Sequence, residues 1–158
     1  MLVSEKITKI GSIAEIRESQ TTGDKSLYAT VEFKPGQIIS NFGGKEILDR
    51  PNYLTVQIGD SQHIMLDPEF LQYINHSCSP NVFFDTQKMV VIALRNIEMG
   101  EEFTFFYPST EWSMDRGFDC FCQSENCLGY IQGAAHLPLD VLKKYKLSQY
   151  IENRLKVE

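Results

Sequence analysis

Short apolar runs, each closed by turn-forming residues, organise most of this chain. Across residues 7–17 the apolar positions are Ile7, Ile10, Ile13 and Ile16, with Gly11 interrupting them. LYATVEF (27–33) is rich in strand formers and runs into Lys34-Pro35-Gly36, a turn signal. IISNF (38–42) predicts a strand that stops at Gly43-Gly44. YLTVQI (53–58) alternates with period two and ends at Gly59-Asp60, and HIML (63–66) follows at once, which predicts a hairpin. VFF (82–84) and MVVIAL (89–94) predict a second hairpin around residues 85–88, and EFTFFY (102–107) a strand ended by Pro108. After Leu137-Pro138, apolar Leu139, Leu142 and Tyr145 suggest one helix, and Ser148 is placed to cap another that carries Ile151 and Leu155. ATVEFKPGQII (29–39) and ALRNIEMGEEF (93–103) echo each other, each with Ala seven residues before a Gly that leads into a strand. That span is too short for a solenoid repeat and reads as one turn used twice. The pattern predicts an α+β domain, mostly β, with a helical tail.

Composition narrows the class. At 158 residues and 42% apolar, the chain is one globular domain by size. No apolar run approaches the roughly 18 residues of a membrane span. The start, MLVSEKITKI, lacks the continuous apolar stretch of a secretory signal. A soluble, intracellular protein is expected, with nucleus and cytoplasm not distinguished. The net charge of −6 disfavours direct binding to nucleic acid phosphates and favours a basic partner.

Four cysteines are present: Cys78, then Cys120, Cys122 and Cys127 in C-F-C-Q-S-E-N-C. A reducing compartment disfavours disulfides, and closely spaced thiolates suit a tetrahedral Zn²⁺. Four thiolates would close the coordination shell, which makes the metal structural. Four unrelated reduced thiols are the alternative, and His76 is a weaker competing ligand.

The segment INHSCSPN (74–81) is too dense in polar and special residues to be filler, because buried polar groups must find partners. It resembles the NHSCxPN signature of SET-domain protein lysine methyltransferases. GEEFTFFY (100–107) resembles that family's GEELTxxY strand, and CFCQSENC (120–127) its post-SET zinc motif CxCx4C. TGDKSLYAT (22–30) is similar to its GxGLFA segment and IISNFGGKEI (38–47) to its IxEYxGExI strand, so the resemblance covers about residues 10–135.

The resemblance implies a fold of several short sheets in which the NHSCxPN segment and the GEELTxxY strand cross in a pseudoknot, a threading rare in proteins. It implies S-adenosyl-L-methionine held by Gly23, Lys25, Ser26, Leu27, Tyr73, Asn75, His76 and Phe121, with His76 acting largely through its backbone. Asn81 should brace the site. Cys78, Cys120, Cys122 and Cys127 should bind zinc and pin the post-SET loop over a lysine channel. Tyr107 matches the catalytic tyrosine; without the motif it is simply an aromatic at a strand end. Phe103, Phe105, Phe106, Tyr53 and Tyr73 are candidates to line the channel, although such residues at strand positions more often serve the core; Trp112 follows the catalytic strand, and Tyr130 is placed to pack on the cofactor or on the zinc loop.

The chain departs from the pattern at several positions. Asp24 and Ser26 replace glycines, Phe42 and Lys45 replace Tyr and Glu, Gln72 replaces Arg, Tyr73 replaces Phe, and Phe106 replaces Asp. The expected organisation is a SET domain over residues 1–118, a post-SET segment over 119–135 and a helical tail over 136–158. The expected activity is methylation of a lysine in a protein or peptide such as a histone tail, without membrane or nucleic acid as partner. A catalytically silent SET module that binds a partner is the alternative.

Overall fold

A computed structural model describes residues 5–157; residues 1–4 and 158, and the side chains of Lys45 and Val157, lie outside it. In chain order, β1 (Glu5–Ile10), β2 (Ala14–Ser19) and β3 (Lys25–Ala29) form an antiparallel meander. Gly11, at φ +54°, turns the first hairpin in a conformation that suits glycine. β4 (Ile38–Asn41) leads into β5 (Gly43–Leu48), β6 (Thr55–Gly59) and β7 (Gln62–Asp67). β5, β7 and β6 make a second sheet in that order, which includes the expected β6–β7 hairpin. A 3₁₀ turn (Glu69–Tyr73) precedes the short β8 (Asn75–His76). β9 (Val82–Asp85) and β10 (Val90–Ala93) form the other expected hairpin, and β4 joins β10 to complete a third sheet. β11 (Thr104–Phe105) lies parallel to β8. β12 (Phe118–Asp119) pairs with β13 (Tyr130–Ile131), and α1 (Leu139–Leu142) and α2 (Gln149–Val157) close the chain. No helix among the described residues is long and apolar enough to cross a membrane.

Two expectations need correction and one needs extension. β4 stops at Asn41, just before Gly43-Gly44 as expected, and the glycines themselves open β5. A Cβ on Gly44 would come within 3.1 Å of Ile64 Cγ2, so this glycine lets β5 pack against β7. The run 27–33 is a strand only to Ala29, after which the chain turns away to bridge Phe33 to Ile97. The run 102–107 is a strand only at Thr104 and Phe105, with a single bridge from Glu102 to Tyr28 before it, because its partner β8 is two residues long and Tyr107 enters a 3₁₀ turn (Tyr107–Ser109).

The echoing segments meet each other about a local pseudo-twofold. Phe33 and Ile97 exchange both backbone hydrogen bonds at 2.9 Å. Gly36 donates to Ala93 O at 2.7 Å, and Gly100 donates to Ala29 O at 2.8 Å. Gln37 Oε1 accepts the Lys34 N–H at 3.0 Å just as Glu101 Oε1 accepts the Glu98 N–H at 3.1 Å. Gly36 and Gly100 both need positive φ, +83° and +90°.

The main core gathers Leu27, Phe33, Ile74, Phe84, Ile97 and Phe103 between the sheets. A second cluster joins Phe106 to Ala134, Leu142 and Ile151 of the tail, and a third packs Cys78 with Cys120 and Ile131. Ser148 caps α2 as its sequence suggests, its Oγ accepting the Ile151 N–H at 3.3 Å. Neither smaller cluster respects the expected boundaries: Phe106 and Cys78 both belong to residues 1–118, and a cut at 118 falls inside β12.

Candidate active site and cysteine cluster

Asn81 builds the crossing. Its side chain is almost fully buried, with 1% exposure, and makes every bond that its position asks for. Nδ2 donates to Glu102 O at 2.8 Å and Glu101 Oε2 at 3.1 Å, while Oδ1 accepts the Thr104 N–H at 2.8 Å. Its backbone N–H reaches Thr104 O at 3.0 Å. With Asn75 opposite Thr104 and His76 opposite Phe105, residues 75–81 and the strand before Tyr107 are bound side by side.

Tyr107 stands at the end of that pairing. Its hydroxyl donates to Ile74 O at 3.3 Å, and its ring packs on Phe105 (centroids 4.6 Å apart), His76 (5.2 Å) and Phe118 (5.8 Å). Burial, reinforced by the Glu111 and Glu102 carboxylates, raises its pKa well above the ordinary tyrosine value. The hydroxyl therefore stays protonated at neutral pH and can orient a ligand but not act as a base. His76 Nδ1 accepts the Tyr107 N–H at 3.1 Å, and burial lowers the pKa of this ring to about 4.

Beside this pair, Asn75 Nδ2 lies 2.9 Å from Ser26 Oγ, 3.4 Å from Lys25 O and 3.2 Å from Glu102 Oε2. Lys25 Nζ sits 5.1 Å from the centre of the Tyr73 ring. Gly23, at φ +78°, has open space where a Cβ would stand. Lys25, Ser26, Tyr73 and Asn75 therefore converge, whereas the His76 ring is turned to Tyr107, Phe118 and Cys78. Leu27 does not present its side chain there, since it is fully buried in the main core. Phe121, 82% exposed, stands in solvent.

Among the aromatic candidates, Phe105 faces Tyr107, whereas Phe103 packs on Phe33 and Tyr53 is exposed. Phe106 turns away and stacks on Tyr145, with centroids 3.6 Å apart and planes 5° apart, so the tail covers an aromatic ring at this position. Phe42, likewise, packs edge-on against Phe84 in the core. The departure at Lys45 lies outside the described side chains.

The four cysteine sulfurs lie within 4.8 Å of one another, and Cys78 Sγ is 3.9 Å from Cys120 Sγ. A tetrahedron of thiolates about 2.3 Å from Zn²⁺ has edges of about 3.8 Å, so the donor set and its spacing fit this metal. A disulfide is not formed, and all four thiols are free. Burial pushes the Cys78 thiol well up, so its thiolate needs a compensating cation. His76 is not among the converging ligand groups; its Nε2 lies 3.4 Å from Cys78 Sγ instead.

Two partners of the site escape sequence reasoning. Phe118 packs against both His76 and Tyr107, and its only signal is its place two residues before Cys120. Glu111 is buried, and its Oε2 accepts the Gln57 N–H at 2.9 Å and the Thr110 hydroxyl at 2.7 Å. Burial raises its pKa to about 7 against those two donors.

The SET domain description matches residues 24–108, more than half of the chain. The chain belongs to the SET-domain family. Methyltransferase flvH of Aspergillus flavus is 36% identical over 143 residues, which cover 89% of this SET chain and 80% of that protein. The H3 lysine-4-specific histone-lysine N-methyltransferase of Emericella nidulans is 31% identical over 128 residues, 66% of this chain and 10% of that protein. The H3 lysine-36-specific enzyme of Saccharomyces cerevisiae is 30% identical over 87 residues, 51% of this chain and 12% of that protein. The chain thus spans four-fifths of the first relative and about a tenth of each histone-lysine methyltransferase. The crystal structure of KRYPTONITE in complex with mCHG DNA and SAH shares the SET fold at a TM-score of 0.58 and 21% identity, covering 78% of this chain and 30% of that one.

Proposed function

We propose that this SET domain transfers a methyl group from S-adenosyl-L-methionine to the side-chain amine of a lysine in a protein, with a histone tail as the model acceptor. The observation that carries this is the Tyr107 hydroxyl, held at Ile74 O beside the converging Lys25, Ser26, Tyr73 and Asn75. S-adenosyl-L-methionine, when bound, supplies an electrophilic methyl on a sulfonium. The chain's own residues have three tasks. Lys25, Ser26 and Asn75 offer polar groups to the donor, with Gly23 leaving room beside it and Leu27 and His76 contributing their backbones. Phe121 is assigned to the solvent side of the donor.

Second, the acceptor lysine must be neutral, although its free pKa is about 10.4. Desolvation in the channel beside Phe105, Phe118 and Tyr107, together with the positive charge of a bound sulfonium, would disfavour its ammonium form. Third, the Tyr107 hydroxyl and the Ile74 carbonyl orient the amine, and such alignment is worth roughly 7–11 kcal/mol in favourable cases. Cys78, Cys120, Cys122 and Cys127 would hold a structural zinc that ties residues 118–131 to the crossing. The acidic net charge of −6 supports a basic peptide rather than nucleic acid as the partner, and free thiols support an intracellular site of action.

Labelled methyl transfer tests this with histones, a cell lysate, free lysine and small primary amines side by side. Transfer to protein that disappears in Tyr107→Phe is expected. Transfer to the free amines alone would replace the protein acceptor with a small one, and no transfer to any acceptor would count against the activity. Ser26 favours a second reading, a silent module, because its hydroxyl already engages the Asn75 amide. Calorimetry separates the two, since micromolar or tighter binding of S-adenosyl-L-methionine removes the silent module.

A further inference from the structure

The His76 ring touches both halves of the site through different nitrogens. Nδ1 accepts the Tyr107 N–H at 3.1 Å. A nitrogen that accepts carries no proton, so the imidazole proton sits on Nε2. Nε2 lies 3.4 Å from Cys78 Sγ and so presents a donor to that sulfur. The same sulfur accepts the Leu128 N–H at 3.3 Å. Phe106, Tyr107 and Phe118 surround the ring with centroids 5.6, 5.2 and 5.6 Å away, which limits it to this orientation.

Building on the assignments of Tyr107 and the zinc site made above, we propose that His76 is a positioning residue that couples the metal cluster to the catalytic tyrosine. Its Nε2–H holds the Cys78 thiolate and its Nδ1 holds the Tyr107 backbone. Residues bonded to a ligand thiolate commonly set its orientation and its donor strength. Here the second nitrogen extends that hold to the start of the 3₁₀ turn that aims the hydroxyl. Metal binding at the cysteines then stiffens Tyr107 through one ring.

Two substitutions separate the arms. His76→Asn keeps an acceptor near the Nδ1 position and loses the donor to sulfur, whereas His76→Gln keeps the donor near Nε2 and loses the acceptor. The full chain is loaded with Co²⁺, and two readouts are taken: the sulfur-to-cobalt charge-transfer band and hydrogen exchange at the Tyr107 amide. In the wild type, metal is expected to slow that amide up to about tenfold, the worth of one hydrogen bond. In His76→Asn the band should move to lower energy and the metal effect on the amide should vanish. In His76→Gln the band should stay and the amide should exchange fast with or without metal. An unmoved band in His76→Asn, or an undiminished metal effect on its Tyr107 amide, would overturn the coupling. A wild type with no cobalt band would overturn the metal assignment and the coupling with it. Neither readout measures turnover, so a failed methyl-transfer assay is seen separately.

Discussion

The strand-built part of the molecule and its cysteine-bearing end are held in different ways. Residues 25–105 bury Leu27, Ile74, Phe84, Ile97 and Phe103 completely or nearly so, and their sheets share backbone ladders of several residues. Residues 118–131 offer two strands of two residues each, and their cluster holds only three buried residues, Cys78, Cys120 and Ile131, with Cys122, Cys127, Tyr107, Met114, Phe118 and Leu128 partly buried around them. Apolar burial stabilises by about 25 cal/mol per Å², and so small a cluster contributes little of it. The cysteine end therefore depends on sulfur, and on side chains such as Asn126 and Tyr145 that donate to Cys78 O at 2.8 and 2.7 Å. Tyr107 and His76 sit on the seam. A site assembled there gains its shape from one part and its closure from the other.

The largest expected effect tests this contrast directly. Structural zinc binds small peptides with about 10–16 kcal/mol of apparent free energy, nearly all of it folding energy. Chelation should release amide protection across residues 118–131 while Phe84 and Val91 amides stay protected, as read by hydrogen exchange. Uniform loss of protection would erase the distinction between the two parts. The converse substitution, Phe84→Ala, empties the contact between Phe84 and both Phe42 and Phe105. It should cost about 3–5 kcal/mol, measured as a lower denaturation midpoint of the whole chain. In the still-folded variant, metal release to a chelator should proceed at the wild-type rate.

Glu111 sharpens the comparison from the seam. Its folded pKa of about 7 lies above the ordinary 4.5, so the folded protein binds its proton more tightly than the unfolded chain does. This contribution to stability is complete below about pH 4.5 and falls as pH rises towards 7, by about 3 kcal/mol in all. Glu111→Gln keeps an oxygen for the Gln57 N–H and the Thr110 hydroxyl but carries no charge. Its stability should be flatter between pH 5 and 8 than that of the wild type, with a higher denaturation midpoint at pH 8. An unchanged pH slope would mean that Glu111 remains ionised in the fold.

What the sequence discloses follows the same divide. The hairpins around residues 60 and 87 are legible because period-two alternation and turn residues act locally. The Gly36 and Gly100 turns are legible as an echo, but their mutual pairing is not, since it joins segments over sixty residues apart. The four cysteines and residues 75–81 stand out by residue type, and their approach to one another agrees with the resemblance. The side-chain work of His76 is invisible in sequence, because it depends on which nitrogen meets Tyr107 and which meets Cys78. Glu111 reads as a surface carboxylate until Gln57 and Thr110 are seen to enclose it. The double glycine marks where β4 ends but hides that it opens β5, because glycine serves a tight interstrand contact as well as a turn.

The smallest expected effect isolates one atom in the cysteine end. The Tyr145 hydroxyl donates to Cys78 O and accepts from Asn126 Nδ2 at 3.1 Å, while its ring stacks on Phe106. Tyr145→Phe preserves the stack and removes the oxygen. Both hydroxyl bonds are lost, but Cys78 O still receives Asn126 Nδ2 and the exposed Asn126 amide turns its freed N–H to water, so the net loss should be about 1 kcal/mol. Because the Cys78 bond joins the tail to the proposed zinc site and not to the main core, chelator-driven metal release should quicken about fivefold while the Phe84 and Val91 amides exchange as before. If those amides quicken too, the tail braces the strand core as well as the cysteine end, and the seam lies further into the molecule than Tyr107.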